Sequence, residues 1–188
     1  MKKTISIICI LLTAALVALF WVKIDDALTR KSHPHQYAQY VEKYAQENAV
    51  PTELVYGVIK AESNFKSDAV SNKGAVGLMQ LMPDTYAWLC GKKGDENVDP
   101  DLLYIPETNI KYGTYYLSTL YTQFGNWENA LAAYNAGPSR VQQWIEEYGC
   151  DERGVLKNIP FDETSKYVKK VLKEKETYFE LYYNLDNK

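Results

Sequence analysis

The sequence is poor in residues that bind transition metals. Its only two histidines are His33 and His35, and of its three cysteines Cys9 lies in an apolar N-terminal run, which leaves Cys90 and Cys150. A structural zinc site takes four Cys or His ligands, so we expect no metal site and no cofactor. In an oxidising compartment the two remaining cysteines could pair, and the sequence leaves that pairing open because it does not give their separation.

Basic clusters are also missing. Lys and Arg total 21 against 24 Asp and Glu, which gives a net charge of −3, and no run of basic residues occurs. A nucleic-acid-binding protein would show a basic patch, so no nucleic-acid partner is expected. A negatively charged chain is not drawn to an anionic polymer either. Such a substrate would have to be held by shape, hydrogen bonds and stacking.

Charged residues are absent from Thr4 to Val22, directly after Met-Lys-Lys. This run has about the length that spans a bilayer, Trp21 suits a membrane interface, and no small-x-small cleavage site follows. We therefore expect residues 1–22 to be an uncleaved membrane anchor that leaves the rest of the chain outside the cytoplasm. A signal segment that is removed, followed by secretion, is the alternative.

The remaining sequence has the length of one ordinary domain. We expect residues 23–35 to be a tether and residues 36–188 to form a single all-α domain of about seven helices, because apolar residues repeat at helical spacing and no strand-like alternation or internal repeat is found. Residues Gly91–Tyr104 are expected to be an irregular connection. Helices are expected over Gln36–Asn48 and Pro51–Ser63, from Pro83 and Pro106, over Trp127–Tyr134 and Val141–Tyr148, and over Phe161–Tyr182.

Glu62 lies where a carboxyl group has no ordinary structural purpose. Leu54, Val55, Val58 and Ile59 form the apolar stripe of a core-facing helix, and Glu62 takes the next position on that stripe. Poor solvation favours the protonated form and raises the pKa of such a carboxyl. A carboxyl that is neutral near pH 7 is suited to general acid catalysis. The alternative is a glutamate at the solvated end of a helix.

Four segments together resemble one known family. They are Glu62-Ser63, Gly77–Pro83 (Gly-Leu-Met-Gln-Leu-Met-Pro), Ala133–Pro138 (Ala-Tyr-Asn-Ala-Gly-Pro) and the segment Ile159–Val168. In this order and spacing they resemble the catalytic domain of the soluble lytic transglycosylases, which have the goose-type lysozyme-like fold. The resemblance covers about residues 36–180.

The resemblance implies an enzyme that cleaves the β-1,4 bond between N-acetylmuramic acid and N-acetylglucosamine in peptidoglycan and leaves a 1,6-anhydro end. Glu62 would protonate the glycosidic oxygen and then act as base toward the C6 hydroxyl of the same sugar. The 2-acetamido group of the substrate would stabilise the anomeric centre, so that no second carboxylate at a fixed short spacing is needed. Peptidoglycan glycan strands would be the partner, and no cofactor would take part.

The same comparison assigns substrate contacts to nine further residues. Gly77 would let the backbone approach the sugar, Met79 and Gln80 would line the floor of the cleft, and Met82 is expected in the core. Ser71 could instead cap its own loop. The full set implied by the resemblance is Ser63, Ser71, Gly77, Met79, Gln80, Tyr134, Asn135, Glu163 and Tyr167.

Two other functions remain open at this point. A lysozyme-type hydrolase on the same fold would need a positioned water and usually a second carboxylate, for which Asp68 and Asp84 are candidates by position in the sequence. A non-catalytic peptidoglycan-binding scaffold would be marked by loss of the acid, and Glu62 is present.

Overall fold

The structure is a computed structural model that describes residues 13, 16–18, 20–21, 23–25, 27–95 and 98–184. The chain divides into two units, Met1–His35 and Gln36–Lys188. In the first unit residues 27–32 are helical. Most of the expected anchor over residues 1–22 lies outside the described residues. Within the described part of the chain, no helix is both long enough and apolar enough to cross a membrane.

The second unit consists of helices joined by loops. In the described residues from 36 onward there are seven α-helices, and the backbone pairs in strand fashion only at three isolated bridges. The prediction of an all-α domain of about seven helices is confirmed. The α-helices are α1 (Ala38–Glu47), α2 (Thr52–Glu62), α3 (Pro83–Lys93), α4 (Pro106–Phe124), α5 (Trp127–Ala136), α6 (Pro138–Tyr148) and α7 (Asp162–Tyr178), with a 3₁₀-helix at Pro100–Tyr104 and a π-helix at Phe179–Tyr183.

Local sequence signals place most helix ends. Pro83, Pro106 and Pro138 each occupy the first turn of a helix, where the missing N–H costs nothing and the ring fixes a helical φ. The helix α4 ends at Phe124 and is followed by Gly125, which has a φ of 74°, a backbone conformation that residues with a Cβ rarely adopt. The next residue, Asn126, begins α5 because its Oδ1 accepts a hydrogen bond of 2.9 Å from Asn129 N.

The helices α2 and α7 form the centre of the domain. The predicted stripe on α2 is fully buried, and Tyr56 stacks on Tyr178 with ring centroids 4.9 Å apart. The two backbones come very close at Gly57, where an added Cβ would lie 2.9 Å from Val171 O and 3.0 Å from Lys175 N. This close packing brings the C-terminal end of α2, which carries Glu62, against α7.

The segment Gly91–Tyr104 is more regular than its sequence suggested. The helix α3 continues to Lys93, and Pro100–Tyr104 forms a 3₁₀-helix whose first turn is capped by Asp99 Oδ1. Prediction of an irregular connection was wrong here because polar residues on short helices carry no periodic signal. The two cysteines outside the apolar run do not form a disulfide. Cys90 is buried in α3, and Cys150 lies half-buried in the loop that follows α6.

Candidate active site

Glu62 opens into a cleft of about 360 Å³. The cleft is built from the last residue of α2, the loop before α3, the end of α5 and the start of α7. Four separate parts of the chain therefore meet around one carboxyl group. The lining residues are Glu62, Ser71, Asn72, Lys73, Ala75, Gln80, Met82, Tyr134, Asn135 and Glu163.

The surroundings of Glu62 favour the neutral acid. Burial raises the pKa of the Glu62 carboxyl to about 7, although a contact with the Tyr167 hydroxyl and the positive charge of Lys170 oppose the rise. Desolvation is the largest effect, as expected for a carboxyl at the end of an apolar helical stripe. Near neutral pH this group can both donate and accept a proton, which is the property of a general acid–base catalyst.

Two tyrosines lie beside Glu62. The Tyr134 hydroxyl donates a hydrogen bond of 2.7 Å to Met79 O, and its ring lies 5.2 Å from that of Tyr116. The Tyr167 hydroxyl is buried and approaches the Glu62 carboxyl without the geometry of a regular hydrogen bond. Burial, followed by the charge of Glu62, holds the pKa of both hydroxyls well above the usual value for tyrosine. Both hydroxyls therefore stay protonated.

The loop that carries the cleft floor is fixed from below by Asn109 of α4. The Asn109 Oδ1 accepts a hydrogen bond of 2.7 Å from Met79 N, and its Nδ2 donates to Val76 O at 2.9 Å and to Leu103 O at 2.8 Å. Asn109 is completely buried, so all three bonds are shielded from water. A buried amide with its partners satisfied stabilises one loop conformation.

Gln80 and Ser71 are held by local hydrogen bonds. Gln80 has a left-handed backbone with a φ of 49°, and its Nε2 donates to Ala69 O at 3.0 Å and to Gly77 O at 2.9 Å. The Ser71 Oγ accepts hydrogen bonds from Lys73 N at 3.3 Å and Ala75 N at 2.9 Å. Ser71 therefore caps its own loop, the alternative considered from the sequence, and also borders the cleft.

The opposite wall is joined by a bond between α5 and α7. Thr164 Oγ1 donates to Asn135 Oδ1 at 2.8 Å, and Thr164 is buried. This bond orients the Asn135 amide and ties the end of α5 to the first turn of α7. Glu163, which precedes Thr164, lines the cleft from that turn.

Most of the predicted site residues come together in the structure. Tyr167 is half-buried, and its buried hydroxyl lies next to Glu62 rather than among the residues that line the cleft. The predicted residues that border the cleft are Glu62, Ser71, Gln80, Tyr134, Asn135 and Glu163.

Ser63, Gly77 and Met79 lie behind the cleft wall. Ser63 is buried and its Oγ donates to Leu78 O at 2.8 Å. Gly77 has a φ of 80°, and its backbone lies very close to Asn109 and Leu103. An added Cβ would overlap Asn109 Nδ2 and Leu103 O. The expectation that Gly77 makes room for a sugar was therefore wrong, because the space beside Gly77 is filled by Asn109 and Leu103.

The two methionines exchange their predicted positions. Met79 has no exposed surface and packs against Gly113, where a Cβ would lie 2.9 Å from Met79 Cβ. Met82 is 39% exposed and borders the cleft. The prediction that Met79 lines the floor and Met82 lies in the core was wrong, because the turn before α3 directs the Met79 side chain toward α4.

Several residues of the site were not predicted. Asn72, Lys73 and Ala75 belong to a polar loop without periodicity, and no signal in the sequence distinguishes them. Lys73 is the one cation among the residues that line the cleft. Asp68 and Asp84, the candidates for a second carboxylate, do not border it, and Glu163 does. In the described part of the chain, no group of three or more His, Cys, Asp or Glu side chains is arranged to hold a metal ion.

Comparison with known proteins agrees with the fold. The transglycosylase SLT domain family matches residues 39–154. The soluble lytic murein transglycosylase of Escherichia coli (strain K12) is 37% identical over 145 residues, which are 74% of this chain and 22% of that protein. The membrane-bound lytic murein transglycosylase C of Haemophilus ducreyi is 31% identical over 134 residues, which are 70% of this chain and 35% of that protein.

Solved structures of related enzymes superpose on the same region. The 70 kDa soluble lytic transglycosylase of Escherichia coli matches with a TM-score of 0.74 and 35% identity over 81% of this chain and 25% of that chain. An inactive Glu-to-Gln mutant of the lytic transglycosylase Slt from Pseudomonas aeruginosa matches with a TM-score of 0.71 and 36% identity over 79% of this chain and 24% of that chain. This chain thus spans about a quarter of the length of these relatives. Because the family match covers more than half of the chain, the protein belongs to the transglycosylase SLT domain family.

Proposed function

We propose that this protein is a peptidoglycan lytic transglycosylase that cleaves the β-1,4 bond between N-acetylmuramic acid and N-acetylglucosamine. The observation that carries the proposal is Glu62, whose carboxyl has a pKa raised to about 7 by burial and opens into a cleft in the domain. Membership of the family and the names of its relatives support the same conclusion.

The reaction needs one group that donates a proton and then accepts one. Glu62 protonates the glycosidic oxygen as the bond from C1 to that oxygen breaks. The resulting carboxylate takes the proton from the C6 hydroxyl of the same muramyl residue, whose oxygen then bonds to C1 and closes the 1,6-anhydro ring. The proton lost in the first step is regained in the second, so the enzyme ends in its starting state and no water is consumed.

The polar groups that surround Glu62 are suited to binding a saccharide. Tyr134, Asn135 and Gln80 place hydroxyl and amide groups at the cleft wall, and their hydrogen bonds to the protein fix their orientation. We assign the contacts with the 2-acetamido group, which would stabilise the anomeric centre, to these polar groups. Ser71 and Glu163 border the same space and would bind the sugar from either side.

The names of the relatives bear on substrate and location. One solved relative is a complex of the 70 kDa soluble lytic transglycosylase with bulgecin A, with a TM-score of 0.76 and 33% identity over 83% of this chain and 26% of that chain. Relatives include both soluble and membrane-bound lytic murein transglycosylases. We place the domain outside the cytoplasm and propose that the apolar N-terminal segment anchors it. Anchoring would restrict the enzyme to glycan strands near the membrane.

The hydrolase alternative is supported by a second carboxylate in the cleft. Glu163 is a second carboxylate in the cleft that contains Glu62, and a second carboxylate that activates a water would produce a hydrolysed, reducing end instead. The two reactions differ by one water in the mass of the product.

Mass spectrometry of the muropeptides released from purified peptidoglycan by the full-length protein tests the proposal. We expect products that are one water lighter than ordinary muropeptides and that have no reducible end. Hydrated, reducible ends would show that the protein is a hydrolase and would overturn the proposal. Binding to peptidoglycan without release would replace it by the scaffold.

The Glu62→Gln variant tests the role of the acid in the same assay. Loss of general acid catalysis should lower the rate of release by about 10²–10⁴-fold, while co-sedimentation with peptidoglycan stays unchanged. Glu152→Gln removes the same charge at an exposed position in the loop after α6 and should release muropeptides at the wild-type rate. Full activity in the Glu62→Gln variant would contradict the assignment.

A further inference from the structure

Lys170 of α7 bonds to the last turn of α2. Its Nζ donates a hydrogen bond of 2.8 Å to Ala61 O, and Ala61 directly precedes Glu62. The last carbonyl groups of an α-helix have no partner within the helix, and a lysine from another helix supplies one here. The bond therefore fixes the backbone next to the proposed catalytic acid.

Lys170 continues a stripe of α7 that is directed at Glu62. Glu163, Tyr167 and Lys170 follow one another at intervals of four and three residues, which places them on one face of the helix. Glu163 borders the cleft, and the buried hydroxyl of Tyr167 lies beside the Glu62 carboxyl. Lys170 lies one turn beyond Tyr167, where α7 passes the end of α2.

The groups around Glu62 indicate what the positive charge of Lys170 does. Tyr134 approaches from α5 and Tyr167 from α7, while Glu163 and Lys73 line the same cleft. Both hydroxyls are neutral at neutral pH. Burial raises the pKa of the Glu62 carboxyl and so favours its protonated form, whereas the positive charge of Lys170 lowers that pKa. Without that charge, the carboxylate formed after the first proton transfer would be less stable.

We propose that Lys170 is a positioning residue that holds the end of α2 and, with its positive charge, stabilises the Glu62 carboxylate between the two halves of the reaction. This inference rests on the proposed function. It extends the site to a residue outside the cleft that acts through Glu62 and does not touch the substrate.

A purely structural role predicts a different result. If Lys170 only capped the helix, its loss would lower the free energy of unfolding and leave the ionisation of Glu62 unchanged. If its charge acts on Glu62, its loss raises the pKa of that carboxyl, because the charged form is no longer favoured. The alkaline limb of the pH profile, where the protonated acid disappears, then moves to higher pH.

The experiment compares Lys170→Met with Lys169→Met in the full-length protein. Methionine keeps an apolar chain of similar length at either position. Lys169 is the adjacent residue on α7 and is exposed, as Lys170 is, so both variants lose one positive charge from the same helix. Two quantities are measured over pH 5 to 10 (roughly the range in which a carboxyl of raised pKa titrates). They are kcat/KM for muropeptide release and the carbon-13 NMR titration of the glutamate carboxyls, with Glu62 assigned by its absence in the Glu62→Gln variant.

We expect Lys170→Met to move both the alkaline limb and the Glu62 titration upward by about half a pH unit, a fraction of the shift produced by a buried charge because Lys170 is in contact with solvent. Lys169→Met should leave both in place, and Lys170→Arg should restore the wild-type values.

Equal shifts in the two methionine variants, or no shift in Lys170→Met, would overturn the inference. Release by the wild-type protein together with an unshifted Lys170→Met profile leaves the proposed function intact and removes only the role of Lys170. A wild-type protein that releases no muropeptides overturns the proposed function itself, whatever the NMR titration shows.

Discussion

The Asn109 side chain and the Met79 backbone are joined by a hydrogen bond of 2.7 Å from Met79 N to Asn109 Oδ1. The two residues are 30 positions apart in the chain, and the bond lies fully inside the protein. The next residue after Met79 is Gln80, which borders the cleft. One buried amide on α4 therefore sets the position of the cleft floor.

Replacement of Asn109 by alanine should lower stability and also impair the site. We expect a loss of about 2–4 kcal/mol in the free energy of unfolding, because Met79 N and Leu103 O lose their buried partner and Val76 O keeps only its bond from Leu81 N. The value of KM for peptidoglycan should rise, since Asn109 no longer fixes the turn that carries Gln80. Urea unfolding and kinetics on purified peptidoglycan measure the two effects.

Asn129→Ala is the matched control for that variant. Asn129 is also buried, and it bonds to Gly154 O and Leu156 N at 2.9 Å each, away from the cleft. It should lose similar stability and keep the wild-type KM. If the two variants raised KM equally, the site-specific role of Asn109 would be refuted.

Gly77→Ala and Gly74→Ala separate backbone strain from steric overlap. Both glycines have left-handed backbones, with φ values of 80° and 86°, but a Cβ at position 77 would overlap Asn109 and Leu103, whereas nothing lies within 4 Å at position 74. We expect Gly74→Ala to cost about 1 kcal/mol from strain alone, and Gly77→Ala about 3 kcal/mol because overlap is added. Chemical denaturation gives both values, and equal costs would contradict the packing described.

The raised pKa of Glu62 makes the Glu62→Gln variant more stable than the wild type at high pH. Burial raises the pKa of the folded-state carboxyl from 4.5 to about 7, so the folded protein binds more protons than the unfolded chain between these values. Wild-type stability is therefore lost as pH rises from about 4.5 through 7. Neutral glutamine has no such loss.

The difference in unfolding free energy between Glu62→Gln and wild type should grow from near zero at pH 4.5 to about 3 kcal/mol at pH 8. Thermal or urea unfolding at the two pH values measures it. Glu152→Gln at its exposed position controls for the loss of one negative charge. A difference that does not change with pH would show that Glu62 ionises freely in the folded protein.

Tyr134 and Tyr167 should respond differently to removal of the hydroxyl group. Tyr134→Phe removes the hydrogen bond to Met79 O and should cost about 1 kcal/mol of stability. Tyr167→Phe removes a buried hydroxyl that makes no regular hydrogen bond in the described residues, so stability should change by less than about 0.5 kcal/mol.

The activity of Tyr167→Phe should nevertheless change with pH. Contact with the Tyr167 hydroxyl lowers the pKa of Glu62, so its loss should raise that pKa and move the alkaline limb of kcat/KM upward. A large loss of stability with an unchanged pH profile would place the Tyr167 hydroxyl in a structural role only.

Local patterns were sufficient to predict the helices and the catalytic candidate. The stripe Leu54, Val55, Val58 and Ile59 belongs to one helix, and the position of Glu62 on it follows from the helical period alone. Prolines at the first turn of α3 and α4 gave their starts for the same local reason, whereas α6 begins at Pro138, three residues before its predicted start at Val141. What a single helix determines could be predicted from the sequence.

Contacts between distant segments could not be predicted in this way. The exchange of Met79 and Met82 depends on the turn that Asn109 fixes from α4, and nothing in the sequence connects these segments. Lys170 is one of two adjacent lysines on α7, and only the packing of α7 on α2 distinguishes it from Lys169. The roles of all the site residues stay predictions, and Glu163 and Tyr167 also lie beyond the family match, which ends at residue 154.

The pairing of α2 with α7 also determines when the site can exist during synthesis. The surroundings of Glu62 are complete only when residues that are made about a hundred positions later, between Asp162 and Tyr178, pack against α2. Until that helix has been made, Glu62 lacks part of the burial that raises its pKa, and a carboxyl of ordinary pKa is ionised at neutral pH. The order of synthesis would therefore delay the proposed lytic activity until almost the whole chain has been made.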